Sequence, residues 1–300
     1  MKKYYKVEGK KFCRDCYYHR LPRCAKCGKS MYHYYTRKVR EGKTYKYCKK
    51  CMTKIAGNCT ICGKALLGKK CIIKSNVTGQ EKEYCDKCAN KAKNCFHCGL
   101  LVAPKDRPLP DGRYICTSCR RKLIYSENEY HGIYRQVRNQ FRKLGLKVNH
   151  LPQLNIVDLK ELSRLNVSDG KSGDKVVGDK MGLYKCTKFY RNNQNGKTKI
   201  TGIRGRIYIL NHLPRDIAYW VMSHEYAHAW YEERVTEQKG LIIVEGFAEW
   251  VAYHLLLRKG YKNIAKGLTK RKNIYGKGLR YMIDLQKKKG FRGVLRHVTR

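Results

Sequence analysis

The stretch 221-VMSHEYAHAW-230 decides how this chain is read. It contains H-E-x-x-H. On a helix His224 and His228 stand four residues apart, so both imidazoles leave one face and can share one metal ion. Glu225 lies beside them, placed to take a proton from water at that metal. Composition alone yields the motif in about one of seventy such chains, so it needs support from elsewhere. The support is 241-LIIVEGFAEWVAYHLLLRKG-260, a helical pattern apolar on most faces, with Gly260 set to end it. It carries Glu245 and Glu249, again four residues apart. A carboxylate in so apolar a segment is costly unless paired or metal-bound. Glu245 follows His228 by 17 residues, close enough for an antiparallel helix to return it to the histidines. Two histidines and one of these glutamates would make three zinc ligands with a position left open. The ordinary alternative is two surface histidines and a solvated glutamate.

Upstream, 126-SENEYHGIYRQVRNQFRKLGL-146 has Ser126 and Glu129 in capping-box spacing, then Tyr130, Ile133, Tyr134, Val137, Phe141 and Leu144 at helical intervals. It reads as a helix that joins the two halves of the chain and packs its apolar stripe on the second. LPQLNIV at 151–157 is extended, a short helix follows, and 167–180 reads as an exposed loop. Strands are expected at 182–190 and 198–210, joined by the N-G-containing turn RNNQNGK. Leu213-Pro214-Arg215-Asp216 then opens the motif helix.

Seven CxxC pairs fill the first 120 residues and take fourteen of the sixteen cysteines. Pairs 24/27, 59/62 and 95/98 are each followed by glycine, which suits a tight knuckle that turns amides toward sulfur. Pairs 48/51, 85/88 and 116/119 run into short stretches of one or two helical turns. The repeat of 35 to 36 residues supplies four thiolates per unit. The expected structural zinc sites are Cys24/Cys27/Cys48/Cys51, Cys59/Cys62/Cys85/Cys88 and Cys95/Cys98/Cys116/Cys119. Units this small lack a core of their own, so zinc would supply much of their folding energy. Cys13 and Cys16 form a half-module without its first half. Either sequence is missing upstream or the pair recruits a further ligand such as His19. Cys71 and Cys186 read as small buried or free thiols, and His97, inside CFHC, as a spacer.

The chain carries 67 Lys and Arg against 23 Asp and Glu, a formal net charge of +44. The excess runs through both halves. It points to nucleic acid or an acidic protein as partner, although four-thiolate zinc sites offset some of it. MKKYYKVEGKK has no apolar stretch behind its basic start, and no run of 18 apolar residues exists, so neither a secretory signal nor a membrane span is expected. Metal thiolates in a reducing, intracellular compartment are the expectation.

VEGFAEW resembles the N-E-G-F-A segment of aminopeptidase-type gluzincins, which implies Glu245 as the third ligand and Glu249 as the group orienting a ligand histidine. LPR, eight residues, HExxHAW and then VEGF resemble the peptidase domain of the DA-one family, LIM-domain metallopeptidases. LPQLNIVDLKELSRL at 151–165, IYGKGLR at 274–280 and KKKGFRGVLRHV at 287–298 resemble that family's segments in the same order. The resemblance covers about 148–300. The cysteine repeat departs from it, with 6–7 residues between units where a LIM domain has two, and no ubiquitin-interacting motif is seen.

The expectation is an α+β chain: tandem zinc-ribbon or LIM-like modules, then a zincin-like peptidase domain. Its boundaries would be an incomplete half-module at 1–23, modules at 24–58, 59–94 and 95–125, a bridging helix at 126–147, and the peptidase domain at 148–300. One catalytic zinc on His224, His228 and Glu245 would accompany about three structural ones. Glu225 would serve as general base and Tyr275 as a donor to the oxyanion, with Tyr253 and His254 as further pocket residues. The strand at 200–210 would be the edge on which a protein substrate pairs. The competing reading is a nucleic-acid-binding zinc array carrying an inert second half, with hairpins such as MYHYYTRKVR stacking on bases.

Overall fold

The computed structural model describes residues 4–7, 9–38, 42–167, 181–192, 198–235 and 239–299. It is a mixed α+β chain of two compact units. The first comprises Met1–Lys74, Gln80–Lys93 and Leu100–Pro104, and the second Ser75–Gly79, Asn94–Gly99 and Lys105–Arg300. No helix among the described residues is long and apolar enough to cross a membrane.

The first unit is built of two-stranded antiparallel hairpins, each ending in a short helix. They are β1 (Tyr5–Val7) and β2 (Lys10–Phe12) with α1 (Arg14–Arg20), β3 (Tyr35–Lys38) and β4 (Thr44–Tyr47) with α2 (Lys49–Ile55), and β5 (Lys70–Lys74) and β6 (Glu81–Cys85) with α3 (Asp86–Lys91). Cys13, Cys48 and Cys85 stand at the N-caps of the three helices. Each complete module has a minimal core. Cys24, Met31 and Cys51 form one; Cys59, Leu66, Tyr84 and Leu101 form the other, with Cys71 packed against it. Cores this small contribute little, so metal bound at the cysteines would supply much of the folding energy. Two-residue strands, β7 (Lys93–Asn94) and β8 (Leu101–Val102), flank the third knuckle in sequence.

In the second unit the knuckle Cys95–Cys98 meets α4 (Thr117–Arg120). Then come α5 (Glu127–Lys143), β9 (Gln153–Val157), α6 (Leu159–Val167), β10 (Gly182–Asn192), β11 (Thr198–Leu210), α7 (Arg215–Glu232), α8 (Leu241–Lys259), α9 (Lys262–Thr269) and α10 (Ile274–Thr299). The sheet order is β10-β11-β9, with β10 antiparallel and β9 parallel to β11. α7 is buried on nearly every side and packs on α5, α8 and the sheet. Burying Trp250 and Phe247 of α8 in the same core contributes about 1.5–3 kcal/mol each. α8 ends at Gly260, whose φ of 86° is the left-handed cap, and α10 kinks at Gly290.

Four expectations are corrected. The helix at 126–147 packs its apolar stripe on the second unit as expected, but it lies wholly within that unit. Tyr130, Ile133, Val137 and Phe141 are core residues of the second unit. The Tyr130 hydroxyl accepts from the Leu213 amide at 2.9 Å, and the Tyr134 hydroxyl donates to the Pro152 carbonyl at 2.6 Å. The four cysteines of the third zinc module likewise fall within the second unit, while Leu100–Pro104 of that module fall in the first. In the second unit the Ile124 amide donates to the Leu213 carbonyl at 3.0 Å, and Leu123 bridges to Pro214. Ser126 caps α5 without a side-chain hydrogen bond: the Glu129 amide donates to the Ser126 carbonyl at 3.1 Å, and the Glu129 carboxylate pairs with Arg215. Finally, β11 is the central strand, not the edge. The expected loop at 167–180 and the turn at 193–197 lie outside the described residues, apart from Val167, which ends α6.

Candidate metal centre

Glycine positions two of the site's helices. A Cβ on Gly246 would lie 2.7 Å from the Gly278 backbone, and one on Gly278 would lie 2.6 Å from Gly246 Cα. Only two glycines allow α8 and α10 to cross this closely. The crossing sets Glu245, one residue before Gly246, and Tyr275, one residue before Gly276, on the same cavity. α7 brings His224, Glu225 and His228 to it.

His224 Nε2 lies 3.2 Å from His228 Nε2 and 3.1 Å from Glu245 Oε2, and His228 Nε2 lies 3.5 Å from that oxygen. Tetrahedral zinc with bonds of about 2.0–2.1 Å holds its ligand atoms roughly 3.3 Å apart. The three donors therefore have the spacing of one face of a zinc tetrahedron. Burial opposes ionisation of Glu245, but the His228 and His224 imidazoles overcome it and hold the carboxyl far below the usual range. Burial also opposes protonation of His224, yet hydrogen bonds to Glu245 and Glu249 carry its pKa well above the ordinary value.

Glu249 takes the second role. It is fully buried. Its Oε2 accepts from Trp220 Nε1 at 3.0 Å and lies 3.0 Å from His224 Nδ1. Arg271 Nη1 is 3.5 Å from its other oxygen, and the Arg271 guanidinium sits 4.4 Å over the Trp220 ring. A carboxylate on Nδ1 fixes the imidazole with Nε2 free for metal.

The cavity holds about 960 Å³. Glu225 lines it opposite β10, and a Cβ on Gly182 would fall 2.9 Å from Glu225 Oε1 and 2.5 Å from Val221 Cγ1. The edge strand therefore approaches the motif helix as closely as glycine permits. Tyr275 also lines the cavity, its ring centroid 5.8 Å from that of His224. Burial raises the pKa of its hydroxyl, and Glu245, Glu225 and Glu249 push the same way, so the phenol keeps its proton at neutral pH. The wall is completed by Asn76 and Val77, by Phe96 and His97, and by Lys270–Asn273. His97 is more than a spacer: its side chain is fully buried, with Nε2 3.5 Å from Asp216 Oδ1 on the first turn of α7. Tyr253 and His254 are not among the lining residues. His254 Nε2 binds Gln286 Oε1 at 2.8 Å and its ring packs on Trp250.

The three four-cysteine groups come together as expected, with each group's sulfurs within 4.8 Å of one another. The Sγ–Sγ distances Cys27–Cys48, Cys62–Cys85 and Cys98–Cys116 are 3.9, 3.9 and 3.8 Å. Zinc bonds of about 2.3 Å place thiolates roughly 3.8 Å apart, so all three groups fit structural zinc. Gly28, Gly63 and Gly99 have φ of 71°, 71° and 73°, and each amide returns to the carbonyl of the first cysteine at 2.8–2.9 Å. Burial opposes ionisation of Cys24 and Cys59, but backbone amides outweigh it and lower both thiols to about 6. Cys13, Cys16 and His19 belong to none of the metal-binding groups found among the described residues. Cys13 Sγ instead caps α1, accepting from the Cys16 amide at 3.5 Å. Cys186 lies half-buried on β10.

Arg271, Trp220, Gly182, Asn76, Val77 and Phe96 were not singled out by their sequence. Only the glycines of VEGF and YGKG carried a signal, as a pair of small residues in two apolar helices. No protein-family model matches this sequence and no curated protein matches it, so the chemistry of the site rests on its own donor set and geometry.

Proposed function

We propose that the second unit is a zinc-dependent peptidase, with His224, His228 and Glu245 as metal ligands. The observation that carries this is the donor spacing of 3.1–3.5 Å beside an acid–base glutamate in one cavity. Zinc, when bound there, supplies Lewis acidity that makes water nucleophilic near neutral pH and polarises a carbonyl. Glu225 accepts the proton on its carboxylate and passes it to the leaving amine. The Tyr275 hydroxyl, kept protonated by its surroundings, donates to the oxygen on which negative charge develops. Glu249 holds His224 in one tautomer and orientation. An extended substrate pairs along the edge of β10, the outer strand of the sheet among the described residues, where Gly182 to Tyr184 border the cavity. The resemblance of residues 148–300 to the DA-one family supports a zincin-like domain acting on proteins, and the cysteine modules then serve recruitment or packing.

The test is hydrolysis of fluorescein-labelled casein by the zinc-loaded full chain and by Glu225→Gln. Losing a general base costs about 10²–10⁴ in rate. A drop of that size with zinc content unchanged supports the reading. Hydrolysis unaffected by Glu225→Gln, or absent from the zinc-loaded wild type, contradicts it. An inert scaffold under a binding array has no use for two histidines and two glutamates converging from adjacent helices.

A further inference from the structure

The first complete zinc module departs from the rest of the chain in charge. Residues 24–58 hold ten Lys and Arg and one acidic residue, Glu41. Residues 126–300 hold 35 and 15, so a uniform basic bias does not account for the difference. A four-cysteine zinc site, at net −2, does not cancel it.

The exposed apolar surface of this region is equally particular. Among the described residues up to 58, the large exposed apolar side chains are all tyrosines: Tyr4, Tyr32, Tyr34 and Tyr45. Among those described residues there is no exposed Leu, Ile, Val or Met patch of the kind that inserts into lipid or seats an amphipathic helix. Tyr32 is partly engaged, packing on Tyr17 and Tyr18 at 5.9 and 5.6 Å. Tyr34 is 42% exposed, and Lys46 Nζ lies 4.5 Å from its ring centroid. The β3–β4 ribbon thus sets a cation directly beside an open aromatic ring. Tyr45, one residue before Lys46, is on the opposite face of the ribbon.

We propose that this ribbon binds single-stranded nucleic acid, with Tyr34 stacking on an unpaired base and Lys46 contacting the adjoining phosphate. Alternating rings and cations match a chain that alternates bases and phosphates. A duplex offers no unstacked base to Tyr34, and an acidic polypeptide has no use for its ring.

The experiment uses the zinc-loaded full chain and a fluorescein-labelled 20-nucleotide deoxythymidine oligomer, followed by anisotropy across a salt series. Tyr34→Ala should weaken binding about tenfold, in the range of one lost base stack, and Tyr34→Trp should retain it. Lys46→Ala should lower the slope of log affinity against log salt by about 0.7, the value of one single-strand phosphate contact, whereas Tyr34→Ala leaves the slope alone. Tyr45→Ala should stay within twofold of wild type. Zinc content checks that each variant keeps its fold. The proposal is overturned if Tyr34→Ala binds as wild type, if Tyr45→Ala loses as much as Tyr34→Ala, or if polyglutamate displaces the oligomer as well as unlabelled oligomer does. The last result would assign the surface to an acidic protein.

Discussion

Glu249→Gln probes the division of labour between the two glutamates of α8. The substitution keeps volume and one acceptor oxygen but removes the charge. In the native site one carboxylate serves Trp220 Nε1 and His224 Nδ1 at 3.0 Å each, with Arg271 near its other oxygen. A hydrogen bond to a charged group contributes about 1.5–3 kcal/mol, so stability should fall by roughly that amount. Loss of the group orienting a ligand histidine weakens metal binding about 10–100-fold. The assay is a chelator titration with zinc counted at each step. In Glu249→Gln one zinc should leave at a 10–100-fold lower chelator concentration, and the three cysteine-bound zincs should leave as in wild type. Glu245→Gln should lack the fourth zinc from the outset. If Glu249→Gln holds its fourth zinc as tightly as wild type, the orienting role is refuted. If Glu249→Gln loses it and Glu245→Gln keeps it, the ligand assignment is reversed.

Three further outcomes follow from named contacts. Gly182→Ala places a methyl 2.5 Å from Val221 Cγ1 and 2.9 Å from Glu225 Oε1; displacing Glu225 by even 1 Å should cost about 10²-fold in casein hydrolysis, with zinc retained. Gly63→Ala meets no atom within 4 Å and has φ of 71°, so its cost is the left-handed backbone alone, about 1–2 kcal/mol; the second module's zinc should leave at roughly a tenth of the chelator concentration, and the others should not move. Burial lowers the pKa of His254, with the Gln286 hydrogen bond opposing. The unfolded chain therefore binds that proton more readily, and the stability His254 contributes is complete above about pH 6.5 and lost as pH falls through its folded value. The urea-midpoint gap between wild type and His254→Gln should narrow from pH 7.5 to pH 5.5, and a widening gap would contradict the assignment.

What the sequence made legible was local. The knuckle glycines follow from ring closure around four thiolates, and Gly28, Gly63 and Gly99 take the left-handed conformation that closure requires. H-E-x-x-H and the paired glutamates follow from the 3.6-residue period. Gly260 follows from helix capping. What stayed hidden was non-local. The place of β11 in the sheet depends on which strands flank it, though burial of both faces at Ile207, Tyr208, Ile209 and Leu210 is the mark of a central strand. The discontinuous division into two units was also hidden, because Ser75–Gly79 and Asn94–Gly99 group with Lys105–Arg300. No periodicity announces that His97 lies against Asp216, or that Arg271 reaches Glu249 across Trp220. Those contacts exist only once α7, α8 and the third knuckle are packed.

Zinc per chain, by elemental analysis of wild type and His228→Ala purified without added metal, tests the central claim most directly. Four groups of ligands predict about four zincs in wild type and about three in His228→Ala, with the cysteine sites untouched. Equal zinc in the two proteins would mean that His224, His228 and Glu245 hold none, and the peptidase reading would fall with them.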